Sequence, residues 1–218
     1  MSDDRIHSDV PEPTEARRGV IDRLVEGRHR AMVILEDIRD THNAAAVYRS
    51  CDAFGVQRVS LIFQRVKAFD PLKDTNKTSS GANVWLDFQT FGATRDAVAA
   101  AKAEGYTVVA TALTDEAEDI IEADLAEHDS VALMFGNEYR GLSDEAIALA
   151  DRVVMIPMRG VVQSLNLSVS AAICLHELQR QRVRAGIDRY RLSEQERTAL
   201  TERLIARRGV SPGLRTRG

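Results

Sequence analysis

VVQSLNLSVSAAICL, residues 161–175, passes from an apolar, strand-like segment straight into a helix. At the junction stand Ser164, Asn166 and Ser168, small polar side chains placed where the hydrophobic period changes from that of a strand to that of a helix. Such residues can satisfy the free N–H groups of the helix that follows. They also stand where a ligand could be met, and both readings stay open at this level. Upstream, DRVVMIPM (151–158) reads as a strand. Downstream, the apolar pattern persists to about Ala185 as a long helix, so the stretch closes a strand–loop–helix unit.

Working outward, the same alternation recurs. SVALMFG (130–136) is a strand, followed by a helix capped at Ser143 with Asp144 and Glu145 in its first turn. YTVVATAL (106–113) is a strand preceded by the helix TRDAVAAAKAEG (94–105), which Gly105 stops. VWLDF (84–88) and RVSLIF (58–63) read as strands, and FDPLKDTNKTSSGAN (69–83) as a polar loop too long for a mere connector. Thr41 to Phe54 is a helix closed by Gly55, with Ala44, Val47, Cys51 and Phe54 on one face. AMVIL (31–35) is a short apolar strand, a short amphipathic helix spans about Glu15 to Arg28, and residues 1–13 read as disordered. Strands separated by helices of this length give an α/β fold, a mainly parallel sheet with helices on both faces.

The chain is 218 residues long, 44% hydrophobic and 28% charged, suited to one medium domain with extensions. No apolar run approaches a membrane span, and the polar, acidic N-terminus is no signal peptide. Cys51 and Cys174 both fall in helix-like apolar patterns and read as reduced core residues of a cytoplasmic protein. The net charge of −4 hides an asymmetry. Residues 179–218 hold eleven Arg against four acids, a net of +7, whereas residues 31–178 carry −10. A basic, all-Arg tail on an acidic body suits either phosphate binding or a salt-bridged, solvated helix pair.

In open α/β sheets, ligands bind beyond the carboxyl ends of the strands. Three loops lie there: Thr111 to Asp115, FGNEYRG (135–141) and PMRGVVQSLN (157–166). Gly136, Gly141 and Gly160 in two of them permit close backbone approach. The dinucleotide and P-loop glycine signatures are absent, as is the GxSxG elbow. The five His show no metal spacing, so neither a metal nor an obvious His base is expected.

NAAAVYRSCDAFGV (43–56), FGNEYRGLS (135–143) and IPMRGVVQSLNLSVSAAI (156–173) resemble, in order and spacing, the three motifs of the TrmH (SpoU) branch of SPOUT RNA 2′-O-methyltransferases. The resemblance spans about Ala31 to Arg182. It implies a C-terminal deep trefoil knot that binds S-adenosylmethionine, and a homodimer with its active site at the subunit interface. It also implies three parts: an N-terminal extension (1–30), a catalytic domain (31–182) and an Arg-rich helical extension (183–218). The two extensions look like those of the tRNA-modifying members that act on guanosine 18 of the D-loop. The same chemistry on ribosomal RNA or another tRNA position, or a non-catalytic RNA-binding protein of this fold, are the rivals. Larger ribosomal RNA enzymes of the branch carry a folded N-terminal domain, for which some 30 residues are too few.

By the same resemblance, Thr111, Gly136, Ile156 and Leu165 form the cofactor wall, and apolar Met134, Met155 and Ile156 suit an adenine ring. The matched polar residues are Asn43, Arg49, Glu138, Ser164 and Asn166. Arg49 is the base proposed for the family or a cation that holds the adjacent phosphate, and a guanidinium favours the second role. Asn43 either caps a helix or places Arg49 and substrate. Glu138 reads as a structural carboxylate receiving backbone N–H bonds. Ser164 and Asn166 would bond to Arg49 or to the methionine end of the cofactor. Arg17, Arg18, Arg28, Arg180, Arg182 and Arg191 would grip the tRNA phosphates through salt-sensitive contacts.

Overall fold

The computed structural model describes residues 13–75, 78–162 and 164–207. Most of the segment expected to be disordered, residues 1–12, lies outside them. The run AMVIL forms the middle of β1 (His29–Glu36), and its side chains divide by parity. Ala31, Val33 and Leu35 enter one buried cluster, while Met32 and Ile34 enter a second on the opposite face. A strand covered on both faces needs an unbroken apolar run, which is the signature of a parallel sheet.

The other strands are β2 (Val56–Ile62), β3 (Asp87–Phe91), β4 (Thr107–Thr111), β5 (Glu118–Asp119), β6 (Val131–Phe135) and β7 (Arg152–Met155). They pair in the order β3-β2-β1-β6-β4-β7-β5, parallel throughout. The helices of the sheet region are α2 (Thr41–Ala53), α3 (Thr94–Ala103), α4 (Asp144–Leu149) and α5 (Leu167–Ala185); α1 (Glu15–Gly27) and α6 (Glu194–Ala206) lie near the chain ends. α2 and α5 bury Ala44, Val47, Tyr48, Cys51, Ala171, Cys174, Leu175 and Leu178 in the first cluster. α3 and α4 bury Ala97, Val98, Ala101 and Ala146 in the second. The α/β expectation with helices on both faces therefore holds. Both Cys are free, and burial pushes each thiol up to about 12, which keeps it protonated and inert.

One strand is displaced. VWLDF was expected to be extended from residue 84, but Ala82–Trp85 is a 3-10 turn and β3 begins only at Asp87. Asn83 is the cause. Fully buried, its amide donates to Pro71 O (3.2 Å) and Leu72 O (3.1 Å), and its Oδ1 accepts from Ser79 Oγ (2.8 Å). Residues 83–85 are thus held by the polar loop, whose tertiary contacts override strand propensity.

The chain divides into two compact units. Arg28–Arg191 holds the sheet, and α1 and α6 form the other. In the latter, Ile21, Val25, Leu200 and Leu204 are buried, and Arg17 donates to Leu204 O (3.2 Å) and Arg207 O (2.6 Å). A guanidinium there satisfies carbonyls that the end of α6 leaves open.

A buried polar contact closes the sheet unit below β1. His29 Nε2 donates to Phe54 O (2.7 Å), so Nδ1 is the acceptor for Arg182 Nη1 at 2.6 Å. Burial first, and the Arg182 cation second, push the imidazole from 6.5 down to about 4. Between those values the unfolded chain binds a proton that the fold resists, so stability falls as pH falls through this window. The loss is about 3 kcal/mol in all. Urea midpoints measured near pH 7.5 and pH 4.5 will show it. His29→Asn, which keeps an acceptor and cannot titrate, will flatten that slope; an unchanged slope would assign it to other groups.

Candidate active site

β1 and β6 pair from Ala31↔Val131 to Leu35↔Phe135, so their carboxyl ends lie level and the loops beyond emerge side by side. Each loop begins with polar residues, because no partner strand continues past the sheet edge. The β1 loop is built on two carboxylates. Glu36, 4% exposed, accepts from Thr94 Oγ1 (2.5 Å), Ser143 Oγ (2.7 Å) and Ser143 N (2.8 Å). Asp37 has φ 54 and accepts from Gln64 N and Arg65 N, both at 2.8 Å, while its carbonyl receives Asn137 Nδ2 at 2.6 Å. These bonds fasten the FGNEYRGLS turn to the end of β1.

Three candidate catalytic residues meet above this platform. Asn43 Nδ2 donates to Glu138 Oε1 (3.2 Å), and Asn166 Nδ2 donates to Asn43 Oδ1 (3.0 Å). Asn166 Oδ1 in turn accepts from Ser168 N (2.8 Å) and Ser168 Oγ (2.7 Å). Asn166 is therefore both the N-cap of α5 and a link to the neighbouring loops. Asn43 is not a cap: Asp40 holds that position on α2 and accepts from His42 N at 2.8 Å. Its place in the first turn leaves the Asn43 amide free to bridge two loops. Glu138 Oε1 also receives Asp40 N at 3.4 Å, and its Oε2 is buried without a partner among the described residues.

Arg49 and Ser164 stand apart from this link. Arg49 lies six residues beyond Asn43, about 9 Å along the helix axis, and is exposed without a bond to any described residue. Ser164 is exposed as well. Thr111, at the end of β4, donates its hydroxyl to Met134 O at 2.9 Å. Ile156 and Leu165 are half-buried, Ile156 against the main core. Gly136 is packed so tightly that an added Cβ would fall 2.1 Å from both Gly141 C and Leu142 N. The loop ends of β4, β6 and β7 thus offer a half-buried wall with apolar Ile156 and Leu165. That is the character a purine-bearing ligand requires.

The arginines divide into two groups. Arg28 and Arg182, expected at an RNA surface, are buried, 2% and 0% exposed. Arg28 binds Gln57 Oε1 (2.8 Å) and Asp52 Oδ1 (2.7 Å). Arg182 donates to His29, Arg30 O (3.1 Å) and Asp129 O (3.3 Å), lies 4.6 Å from the Tyr190 ring centre, and is pushed down to about 10 by burial. Both are framework residues, because a buried guanidinium must be bonded internally. Arg18 is exposed, whereas Arg180 is forked onto Glu177 (2.5 and 2.7 Å) and Arg191 is held by Asp188 (2.7 Å). The basic tail is also less uniform than its charge implies. A cleft of about 430 Å³ in the α1–α6 unit is lined by Asp22, Glu26, Glu194 and Glu202 as well as Arg197.

Glu36, Asp37 and Asn137 were not singled out from the sequence. The only signal was a Glu-Asp pair closing an apolar strand, ILED, where a charge must be exposed or fully bonded.

Residues 30–176 match the model of the SpoU rRNA Methylase family. The chain belongs to that family. The match runs from β1 into α5 and contains every candidate catalytic and cofactor residue, whereas all six candidate RNA-gripping arginines lie outside it. Among relatives, a tRNA (guanosine(18)-2′-O)-methyltransferase of Thermus thermophilus is 42% identical over 183 residues, 83% of this chain and 91% of that protein. The Aquifex aeolicus TrmH/SpoU tRNA modifying enzyme superposes with a TM-score of 0.75 at 29% identity, covering 88% of this chain and 95% of that one. An AdoMet-bound rRNA methyltransferase from Sinorhizobium meliloti superposes with a TM-score of 0.63 at 28% identity, covering 75% and 59%.

Proposed function

We propose that this chain transfers the methyl group of S-adenosylmethionine to the ribose 2′-hydroxyl of guanosine 18 in the D-loop of tRNA. The observation that carries this reading is the likeness to the Thermus enzyme of that activity, which extends over most of both chains. The cofactor fits the residues present. Thr111, Gly136, Ile156 and Leu165 would hold it, with the half-buried Ile156 and Leu165 as the apolar surface that a planar ring needs. When bound, it supplies an electrophilic methyl on a sulfonium sulfur. The chain's own part is then to position the ribose and ease loss of the hydroxyl proton.

In that division of work, Arg49 holds the phosphate beside the target ribose and lowers the hydroxyl pKa. Ser164 would bond to the methionine end of the cofactor, and Asn43, Glu138 and Asn166 hold the three loops in register. Arg17, Arg18, Arg180 and Arg191 remain the candidates for gripping tRNA. The protein works in the cytoplasm as a homodimer. Two features support the dimer. Arg49 makes no contact with the polar link of its own chain, and Val161, Val162, Val169 and Ile173 are exposed around the start of α5 (100%, 63%, 46% and 37%). Apolar side chains one turn apart on a helix present a common face, as Val169 and Ile173 do. The knot is supported by the path of the chain: β7 lies beyond β4, yet the segment after it returns to α5, which packs on the α2 face.

The test is transfer of labelled methyl to an unmodified tRNA transcript, compared with a transcript carrying 2′-deoxyguanosine at position 18. Label on the first alone is expected. Equal label on both would overturn the position, and label on neither would overturn the activity on tRNA.

A further inference from the structure

The turn that carries Glu138 also carries an aromatic side chain that the sequence reading passed over. Tyr139 is 85% exposed. Its backbone is pinned: Asn137 N donates to Gly141 O (3.0 Å), Gly141 N to Asn137 O (2.8 Å), and Tyr139 N to Asn137 Oδ1 (2.9 Å). Asn137 is itself anchored on Asp37 O. The ring therefore stands in water on a turn whose backbone is held in place. On one side of it Glu138 reaches inward to Asn43. On the other, Arg140 is 48% exposed on its side chain and lies 3.6 Å from Asp37, too long to be a firm bond. Arg140 and Asp37 line a cleft of about 250 Å³ together with Arg65, Asn137 and Asp144.

We propose that Tyr139 is the stacking platform for the base of the nucleotide whose ribose is methylated, with Arg140 holding that base's edge. The proposal rests on the reading of this chain as an RNA ribose methyltransferase. A loop nucleotide presents its 2′-hydroxyl to a protein once its base is splayed out of the stack. The splayed base exposes a π-face that an aromatic ring covers well, and single-stranded RNA is commonly read in this way. Stacking holds any base, and an Arg beside it adds preference, since a guanidinium matches the O6/N7 edge of guanine. Position on the turn makes Tyr139 a substrate-side residue, because its immediate neighbour Glu138 belongs to the link that joins α2 and α5.

The experiment first locates the methylated nucleotide with wild-type protein and an unmodified tRNA transcript. A second RNA then carries an abasic ribose at that nucleotide, its 2′-hydroxyl retained. Wild type, Tyr139→Ala and Tyr139→Phe are compared on both RNAs, reading the RNA dissociation constant at one salt concentration and kcat/KM. On intact RNA, Tyr139→Ala is expected to lose about ten- to hundredfold while Tyr139→Phe stays near wild type. On abasic RNA, Tyr139→Ala is expected to lose nothing further. Equal losses on the two RNAs, no loss on either, or a shift in sedimentation showing that the ring seats on a second copy would each overturn the platform. A wild type that methylates no nucleotide overturns the functional reading instead, before any variant is made.

Discussion

Arg49→Ala is expected to lower kcat for methyl transfer by about a thousandfold, the scale of losing one preorganised charge at a reacting centre. Affinity for S-adenosylmethionine should not change, because Arg49 lies on α2, away from the loops that would hold the cofactor. Nor should stability. The side chain is exposed and bonds to no described residue, so its removal costs little, within about 0.5 kcal/mol. The loss is then one of chemistry rather than of folding. A fall below tenfold would remove Arg49 from the reaction.

Arg49→Lys separates the two roles open to this residue. A guanidinium titrates above about 12 and is a poor base, whereas a free lysine amine titrates near 10.4. If position 49 must accept the hydroxyl proton, the lysine variant will gain activity close to tenfold per pH unit up to that value. If it must hold a phosphate, lysine supplies a point charge without the bidentate fork. Its activity will then stay low, and its pH profile will run parallel to that of wild type. The second outcome is expected. A steep recovery with pH would make residue 49 the base.

What could be read from the sequence follows from what kind of information each feature needs. The sheet was legible because a strand buried on both faces cannot hide its run of apolar residues, and β1, β4 and β6 are of this kind. The start of β3 was not, because VWLDF has the right composition but Asn83 bonds to Pro71 and Leu72, twelve and eleven residues earlier. Charge showed the same limit. Arg28, Arg182 and Arg18 look alike in a string, yet the first two are internal struts and the third is exposed. Only the partners distinguish them: Gln57 and Asp52 for Arg28, His29 and two carbonyls for Arg182. At the candidate site, the Asn43–Glu138–Asn166 link spans up to 123 residues of sequence, so no local pattern encodes it. The residues were found by resemblance to a motif, and the motif carried no trace of the Glu36 and Asp37 bonds that hold the turn in place.

Those bonds set the second large effect, which is expected at Gly136. Gly136→Ala adds a single methyl group, but that carbon would lie 2.1 Å from Gly141 C and Leu142 N and 2.3 Å from Gly141 O. All three are backbone atoms, so no side-chain rotation can relieve the contact. The turn must shift by about an ångström, and a misplacement of that size at a reacting site costs on the order of a hundredfold in kcat/KM. Glu138 sits on the moving segment, and its 3.2 Å bond to Asn43 is the first to break. The fold itself loses about 1–3 kcal/mol from overpacking, which a urea midpoint will show. Gly141→Ala provides the control. Its φ of 70 imposes left-handed strain of about 1–2 kcal/mol, but its added carbon meets nothing within 4 Å. The two variants should therefore lose similar stability and very different activity, with Gly136→Ala far the poorer catalyst. Equal activity losses would mean that strain anywhere in the turn is enough, and the close packing at Gly136 would have no special part in placing Glu138.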